Sequence, residues 1–149
     1  WFSDDCKFVM HMASGSFADR NSCQLGHLAW LHTWNYLPAA ILTDTFFSCL
    51  SRKVRKKYNI WLKNEIEGVL DISGFIYSDH FGPKPCNRMA DYYRQLRNAG
   101  AKIIIMPQAM GPFENPDVKA SVLEIIDAAE LVFIRDEVSF GHVTELAGR

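Results

Sequence analysis

The sequence predicts an α/β fold in which a Rossmann-like parallel sheet carries helices on both faces, and three observations carry that prediction. Short apolar runs at 68–75 (GVLDISGF), 101–106 (AKIIIM) and 131–134 (LVFI) have the near-continuous hydrophobicity of strands buried on both sides. Segments with apolar residues at three- and four-residue steps alternate with them. Glycine, proline or aspartate punctuates each passage from one to the next. Strands and amphipathic helices in strict alternation form right-handed crossovers, and these build a doubly wound sheet.

Taken in order, the run at 68–75 ends in Ser and Gly, as a strand does where it meets a loop. After the loop IYSDHFGPKPC, the spacing of Met89, Tyr92, Tyr93 and Leu96 predicts a helix over 87–99, stopped by Gly100. The β-branched run at 101–106 is a strand closed by Pro107, and the loop PQAMGPFENP leads into a helix over about 117–129 with Val118, Val122, Ile125 and Ile126 on one face. A short strand at 131–134 follows, and Asp136 caps a final helix through Val138, Val143 and Leu146. In the first half, alternation over 6–12 (CKFVMHM) predicts a strand, and 24–36 reads as a helix rich in large apolar residues. Phe47, Leu50, Val54, Tyr58, Trp61 and Leu62 predict another helix over 47–66, whose other face, with Arg52, Lys53, Arg55, Lys56 and Lys57, reads as solvated.

Composition narrows the function. The 149 residues suit one domain with a sizeable core, so the whole of 1–149 is expected to be a single Rossmann-like unit. A hydrophobic share of 48% excludes a disordered tail, and a net charge of -1 excludes a global basic field for nucleic acid. Any anion site must be local. The four cysteines form no CxxC pair, which favours reduced thiols and a cytoplasmic location. No run approaches the roughly 20 apolar residues of a membrane span. No His or carboxylate spacing supports a metal site, and P-loop, G-x-G-x-x-G and G-x-S-x-G patterns are missing, which counts against Walker ATPases, dinucleotide oxidoreductases and α/β-hydrolases. The chain starts at Trp1 and stops at Arg149 directly after a helical stretch, so a piece of a longer polypeptide is expected.

In an open parallel sheet, the loops leaving the carboxyl ends of the strands converge on one crevice. Three such loops are 73–79 (SGFIYSD), 107–113 (PQAMGPF) and 135–139 (RDEVS). Ser73 and Gly74 fit a turn with φ > 0, either a plain tight turn or a place where a ligand reaches the backbone. Asp79 can accept a sugar hydroxyl or act as a general base; it can equally cap the next helix or pair with Arg135. In the second loop Gly111 supplies flexibility, Pro112 fixes φ and Phe113 anchors, which leaves Gln108 freest to bond into the crevice unless its amide serves the loop's own backbone. Arg135, at the end of a strand expected to be buried, needs an anion, internal (Asp136, Glu137, Asp79) or a ligand carboxylate or phosphate. Asp136 and Glu137 are accounted for by the helix N-terminus. Of the histidines, only His80 lies in a candidate cleft loop.

In these loops the sequence resembles the polysaccharide pyruvyl transferase family. The resemblance rests on LDISGFIYSDHFG, then KIIIMPQAMGPF, then AAELVFIRDEVSF, in that order, and covers roughly 66–146. It implies the N-terminal half of a two-domain fold of glycosyltransferase-B type, transferring pyruvate from phosphoenolpyruvate to a sugar as a ketal, with phosphoenolpyruvate as donor substrate and no further cofactor. The acceptor is expected to be a sugar or lipid-linked oligosaccharide. Asp79 would be the catalytic base, and Ser73, Gly74, Gln108, Gly111 and Arg135 would bind substrate. The N-x-G-D-type loop of the family has no counterpart that can be placed, since 13–24 is a poor match. With the donor-handling half missing, the fragment alone is expected to be inactive. Two other classes fit the same shape: a nucleotide-sugar glycosyltransferase, and a non-catalytic carbohydrate-binding or interaction module.

Overall fold

The computed structural model describes residues 7–11, 26–28 and 46–148. They fall in two compact units, Trp1–Ile66 and Glu67–Arg149.

In the first unit, β1 (Val9–His11), β2 (Gly26–Leu28) and β3 (Ile60–Trp61) form a parallel sheet in the order β1-β2-β3. The register pairs Val9 with Gly26 and His27 with Ile60. Gly26–Leu28 lies inside the segment expected to be helical. A short apolar run carries no periodicity that separates strand from helix, and the ladder to β1 decides it. The rest of that expected helix, and 13–24, lie outside the described residues.

The long helix expected over 47–66 is also corrected. The stretch contains a helical turn at 46–49, then α1 (Arg52–Lys57), β3 and a 3₁₀ turn (Lys63–Glu65). Asn59 breaks it with φ 53°, a left-handed conformation that Asn tolerates better than most residues, and its Oδ1 accepts from Trp61 Nε1 at 3.0 Å. Val54 and Tyr58 of the supposed core stripe are exposed, whereas Arg55, assigned to the solvated face, is buried. Its Nη1 lies 2.5 Å from Glu65 Oε2. Burial pushes the Glu65 carboxyl up, but the bonds from Arg55 and the Leu62 N–H and the nearby guanidinium charges outweigh it and hold the group below its ordinary value.

The second unit is the alternation the sequence predicts. Strands β4 (Gly68–Asp71), β5 (Lys102–Gln108) and β6 (Leu131–Ile134) form a parallel sheet in the order β4-β5-β6. Helices α2 (Pro83–Asn98), α3 (Pro116–Ala128) and α4 (Glu137–Ala147) follow the three strands in turn. Ile103 and Ile105 of β5 are fully buried in one apolar cluster with Tyr77, Tyr93, Val118, Val122 and Ile125, and Val143 and Leu146 of α4 join it. On the opposite face Leu70, Leu131 and Phe133 are exposed.

Element ends follow local chemistry. Helix α2 begins at Pro83, four positions before the expected start, because prolines in a first turn give up N–H groups that have no helical partner anyway. Gly100, φ 96°, follows its end. Asn115 caps α3, its Oδ1 accepting from Asp117 N at 2.9 Å, and Asp136 caps α4 as expected, accepting from Ser139 N at 2.9 Å. Strand β4 stops at Asp71 rather than running to 75, since the Ser73 N–H turns back to Asp71 Oδ1 at 2.8 Å. Strand β5 continues through Pro107 instead of closing there. The pairing to β6 shifts between Ile105 and Gln108, and an irregularity of that kind accommodates a residue without an N–H.

Candidate functional site

The three strand-end loops are tied to one another at the carboxyl edge of the β4-β5-β6 sheet. Between the first and second loops, Ala109 N–H donates to Gly74 O (3.1 Å), Gly111 N–H to Tyr77 O (2.8 Å) and Asp79 N–H to Pro112 O (3.1 Å). Between the second and third, Arg135 N–H donates to Gln108 O (3.1 Å) and Met110 N–H to the buried Ser139 Oγ (3.0 Å). The Gly111-Pro112 bond is cis. Backbone groups that would otherwise be unsatisfied near the core thus find partners in neighbouring loops.

Beneath this braid lies a buried polar hub that the sequence reading did not single out. The Asp71 carboxylate, 5% exposed, closes β4. It accepts from Ser73 N–H and the Ser73 hydroxyl, from the Tyr77 hydroxyl at 2.5 Å and from Gln108 Nε2 at 2.9 Å. The Tyr77 hydroxyl also lies 3.2 Å from that of Tyr93. Burial pushes the Tyr77 phenol far above its ordinary value, and the Asp71 charge and hydrogen bond add to the shift. Tyr93 moves the same way, through burial first and then the Tyr77 and Asp71 charges. Burial, with the Asp71 charge behind it, pushes Tyr92 up to about 12. The signal for Asp71 was present in the run GVLDISGF: a carboxylate inside an apolar strand is buried only when it is well partnered.

The expected site residues take up unequal positions. Ser73 is half-buried and bound to Asp71. Gly74 has φ 88°, and the place where a Cβ would sit is open space, so its backbone is approachable. Gln108, expected to be freest to reach the crevice, is fully buried against Asp71, and its Oε1 is buried with no hydrogen-bond partner. Gly111 serves close packing rather than flexibility: at φ 91°, a Cβ there would lie 2.7 Å from Cβ, Cγ and Cδ2 of His142. His142 in turn meets Phe113 edge to face at 6.4 Å.

The Asp79 carboxylate does not reach Arg135. It accepts the Glu114 N–H at 2.5 Å and the Asn115 N–H at 3.3 Å, bracing the approach to α3, and it remains half-buried. Arg135, expected at a desolvated strand end, has a side chain 58% exposed with Nε 3.5 Å from Asp136 Oδ2. Strand β6 pairs with β5 alone in this sheet, which leaves the end of β6 wet. The Asp136 carboxyl is held below its ordinary value, mainly by the Ser139 N–H and hydroxyl.

Two further properties bear on function. Among the described residues, no His, Cys, Asp and Glu side chains gather in a group able to hold a metal ion, and no helix is long and apolar enough to cross a membrane. Chemically, the edge offers an open glycine backbone, a half-buried carboxylate and an exposed guanidinium on a scaffold fixed from below.

No curated protein and no solved structure matches the chain. The family model described as polysaccharide pyruvyl transferase matches residues 26–148, a span that takes in all three loops and the strands that carry them, and the chain belongs to that family.

Proposed function

We propose that the chain acts as the acceptor-side, Rossmann-like half of a glycosyltransferase-B-type transferase, which moves the pyruvyl unit of phosphoenolpyruvate to sugar hydroxyls as a ketal. The family match over 26–148 carries the reading, and the convergence of three strand-end loops supports a substrate site at that edge. In this reaction the methylene carbon of phosphoenolpyruvate gains one proton, two acceptor hydroxyls lose one each as their oxygens bond to the enol carbon, and phosphate leaves with the other proton.

A base is therefore required, and Asp79 is the residue proposed for it. Amide N–H groups occupy part of its acceptor capacity, and a carboxylate has about four lone-pair positions, so Oδ1 retains room for a hydroxyl proton. Arg135 is proposed to hold the carboxylate or phosphate of the donor through its planar fork. Ser73 and the open Gly74 backbone border the acceptor. Gln108, fully buried, and Gly111, packed on His142, contribute by holding the loops in place. A reducing, cytoplasmic setting with a lipid-linked oligosaccharide as acceptor is part of the same proposal.

The test is product analysis with the full-length protein. Incubation with phosphoenolpyruvate and an oligosaccharide acceptor should release inorganic phosphate and add a ketal to the glycan. Release of a nucleoside diphosphate from a sugar nucleotide, without use of phosphoenolpyruvate, would assign a glycosyltransferase activity instead.

A further inference from the structure

The first loop and the 3₁₀ turn that follows it (Asp79–Phe81) present two aromatic rings that the proposed chemistry does not use. Phe75 is 55% exposed and Phe81 40% exposed. Their ring centroids lie 5.2 Å apart at 61°, and His80 packs on Phe81 at 5.1 Å and 84°. The rings sit on constrained backbone. Phe75 N–H donates to Ser73 O (3.2 Å), Phe81 N–H to Ser78 O (3.4 Å) and Gly82 N–H to Asp79 O (3.0 Å), and Asp79 is itself tied to the second loop. Large apolar side chains exposed on a braced loop, rather than folded into the adjacent core, form a preorganised contact surface.

We propose that Phe75 and Phe81 form a stacking platform for a pyranose ring of the acceptor, a deepening that rests on the reading of this edge as the sugar site. A pyranose has one face of C–H groups, apolar and weakly positive, and a rim of hydroxyls. An aromatic face is apolar and carries the negative side of its quadrupole, so the two stack, while the rim needs polar partners. Both requirements meet in one short segment: Asp79 and His80 lie between the two phenylalanines, and the open backbone of Gly74 precedes them. The neighbours also argue against other occupants. Residues 72–82 contain no Lys or Arg, and Lys84 and Arg135 are single exposed cations where an anionic lipid surface would call for a basic cluster. Two rings are also far smaller than the roughly 800 Å² per partner of a stable protein interface.

The test uses the full-length protein with soluble gluco- and galacto-oligosaccharides. Phosphate release is measured while acceptor and phosphoenolpyruvate are varied in turn, and acceptor binding without donor is followed by saturation-transfer NMR. Phe75→Ala and Phe81→Ala should each raise the acceptor KM roughly threefold to tenfold, the amount an aromatic stacking contact supplies, and leave the KM for phosphoenolpyruvate in place. Tyr at either position should restore acceptor affinity, whereas Leu should not. An unchanged acceptor KM in the alanine variants, or full rescue by Leu, overturns the platform; the Leu result would assign the rings to a protein or lipid contact. Absence of phosphate release by the wild type overturns the pyruvyl-transfer reading instead, and the platform then stands or falls on whether wild-type sugar binding is lost in the alanine variants. A wild type that does neither overturns both.

Discussion

Replacing Asp71 with alanine is the most direct perturbation of the scaffold. The substitution removes the acceptor of four hydrogen bonds, from the Ser73 N–H and hydroxyl, the Tyr77 hydroxyl and the Gln108 amide. Tyr77 and Gln108 have no exposed surface, so water cannot replace the lost acceptor at either. Each stranded donor costs about 1–3 kcal/mol. Relief of the desolvation that the buried carboxylate itself suffers offsets part of this sum. The net is a loss of about 3–4 kcal/mol, which for a chain of this size lowers the melting temperature by roughly 10 °C. Asp71→Asn keeps the shape and one acceptor oxygen, and it should recover at least half of that loss.

The assay is urea denaturation and thermal melting of wild type and both variants, followed by circular dichroism. A melting temperature for Asp71→Ala within about a degree of wild type, or an alanine variant more stable than the asparagine one, would refute the hub. The carboxylate would then be a tolerated buried charge, and the loops would be held by their backbone bonds alone.

Other expectations concern the loops themselves. Gly111→Ala should cost about 2–4 kcal/mol, since an L residue is strained at φ 91° and its Cβ would meet His142 at 2.7 Å. In a double-mutant cycle His142→Ala should recover part of this cost, and strict additivity would show that the two residues do not crowd each other. Asp79→Asn should lower transfer by roughly 10²–10⁴-fold with little change in melting, because the amide oxygen still accepts a loop N–H; wild-type turnover would remove Asp79 from the mechanism. Stability should fall as pH rises above about 10. Tyr77, Tyr92 and Tyr93 all titrate above the ordinary 10.0 in the folded state, Tyr92 at about 12, so the unfolded chain loses its protons first and alkali favours it. Denaturation midpoints that stay level from pH 9 to about pH 11.5 would contradict this sign.

How far the sequence disclosed these features depended on whether the deciding force was periodic. The helices of the second unit emerge from the spacing of Tyr93, Val118, Val122 and Val143, because burial of one face leaves a repeat in the residues. Breaks were harder to read. Asn59 carries a left-handed φ that no hydrophobic pattern announces, so the apparent stripe across Val54, Tyr58 and Trp61 reads as one long helix. Gln108 shows the same limit at the candidate site. Ile103 and Ile105 point into the core, and simple alternation would send Pro107 inward and Gln108 out. The shift of pairing between Ile105 and Gln108 reverses that parity, and the amide turns towards Asp71 instead of the crevice. Asp71 hides in a run whose apolar residues read as a strand, and its one carboxylate is the anomaly that marks the hub.

The division of labour among the loops follows from where the polar groups are spent. The second loop, the most constrained in sequence, uses its amide side chain, its N–H groups and its glycine on internal partners: Asp71, Gly74, Tyr77, Ser139 and His142. Groups already satisfied and enclosed have little left to offer a substrate, so this loop is a brace. The first loop is the reverse case. Its backbone is held from below, while Gly74, Phe75, Asp79, His80 and Phe81 keep open or partly open surface. At the end of β6, Arg135 adds a wet guanidinium. Substitutions at the exposed or half-buried positions of the first loop and the turn after it should therefore alter acceptor affinity and turnover with little effect on folding, whereas changes at the buried Tyr77 and in the second loop should alter stability first. A second-loop variant such as Ala109→Ser that changed sugar selectivity at unchanged melting temperature would reverse that assignment.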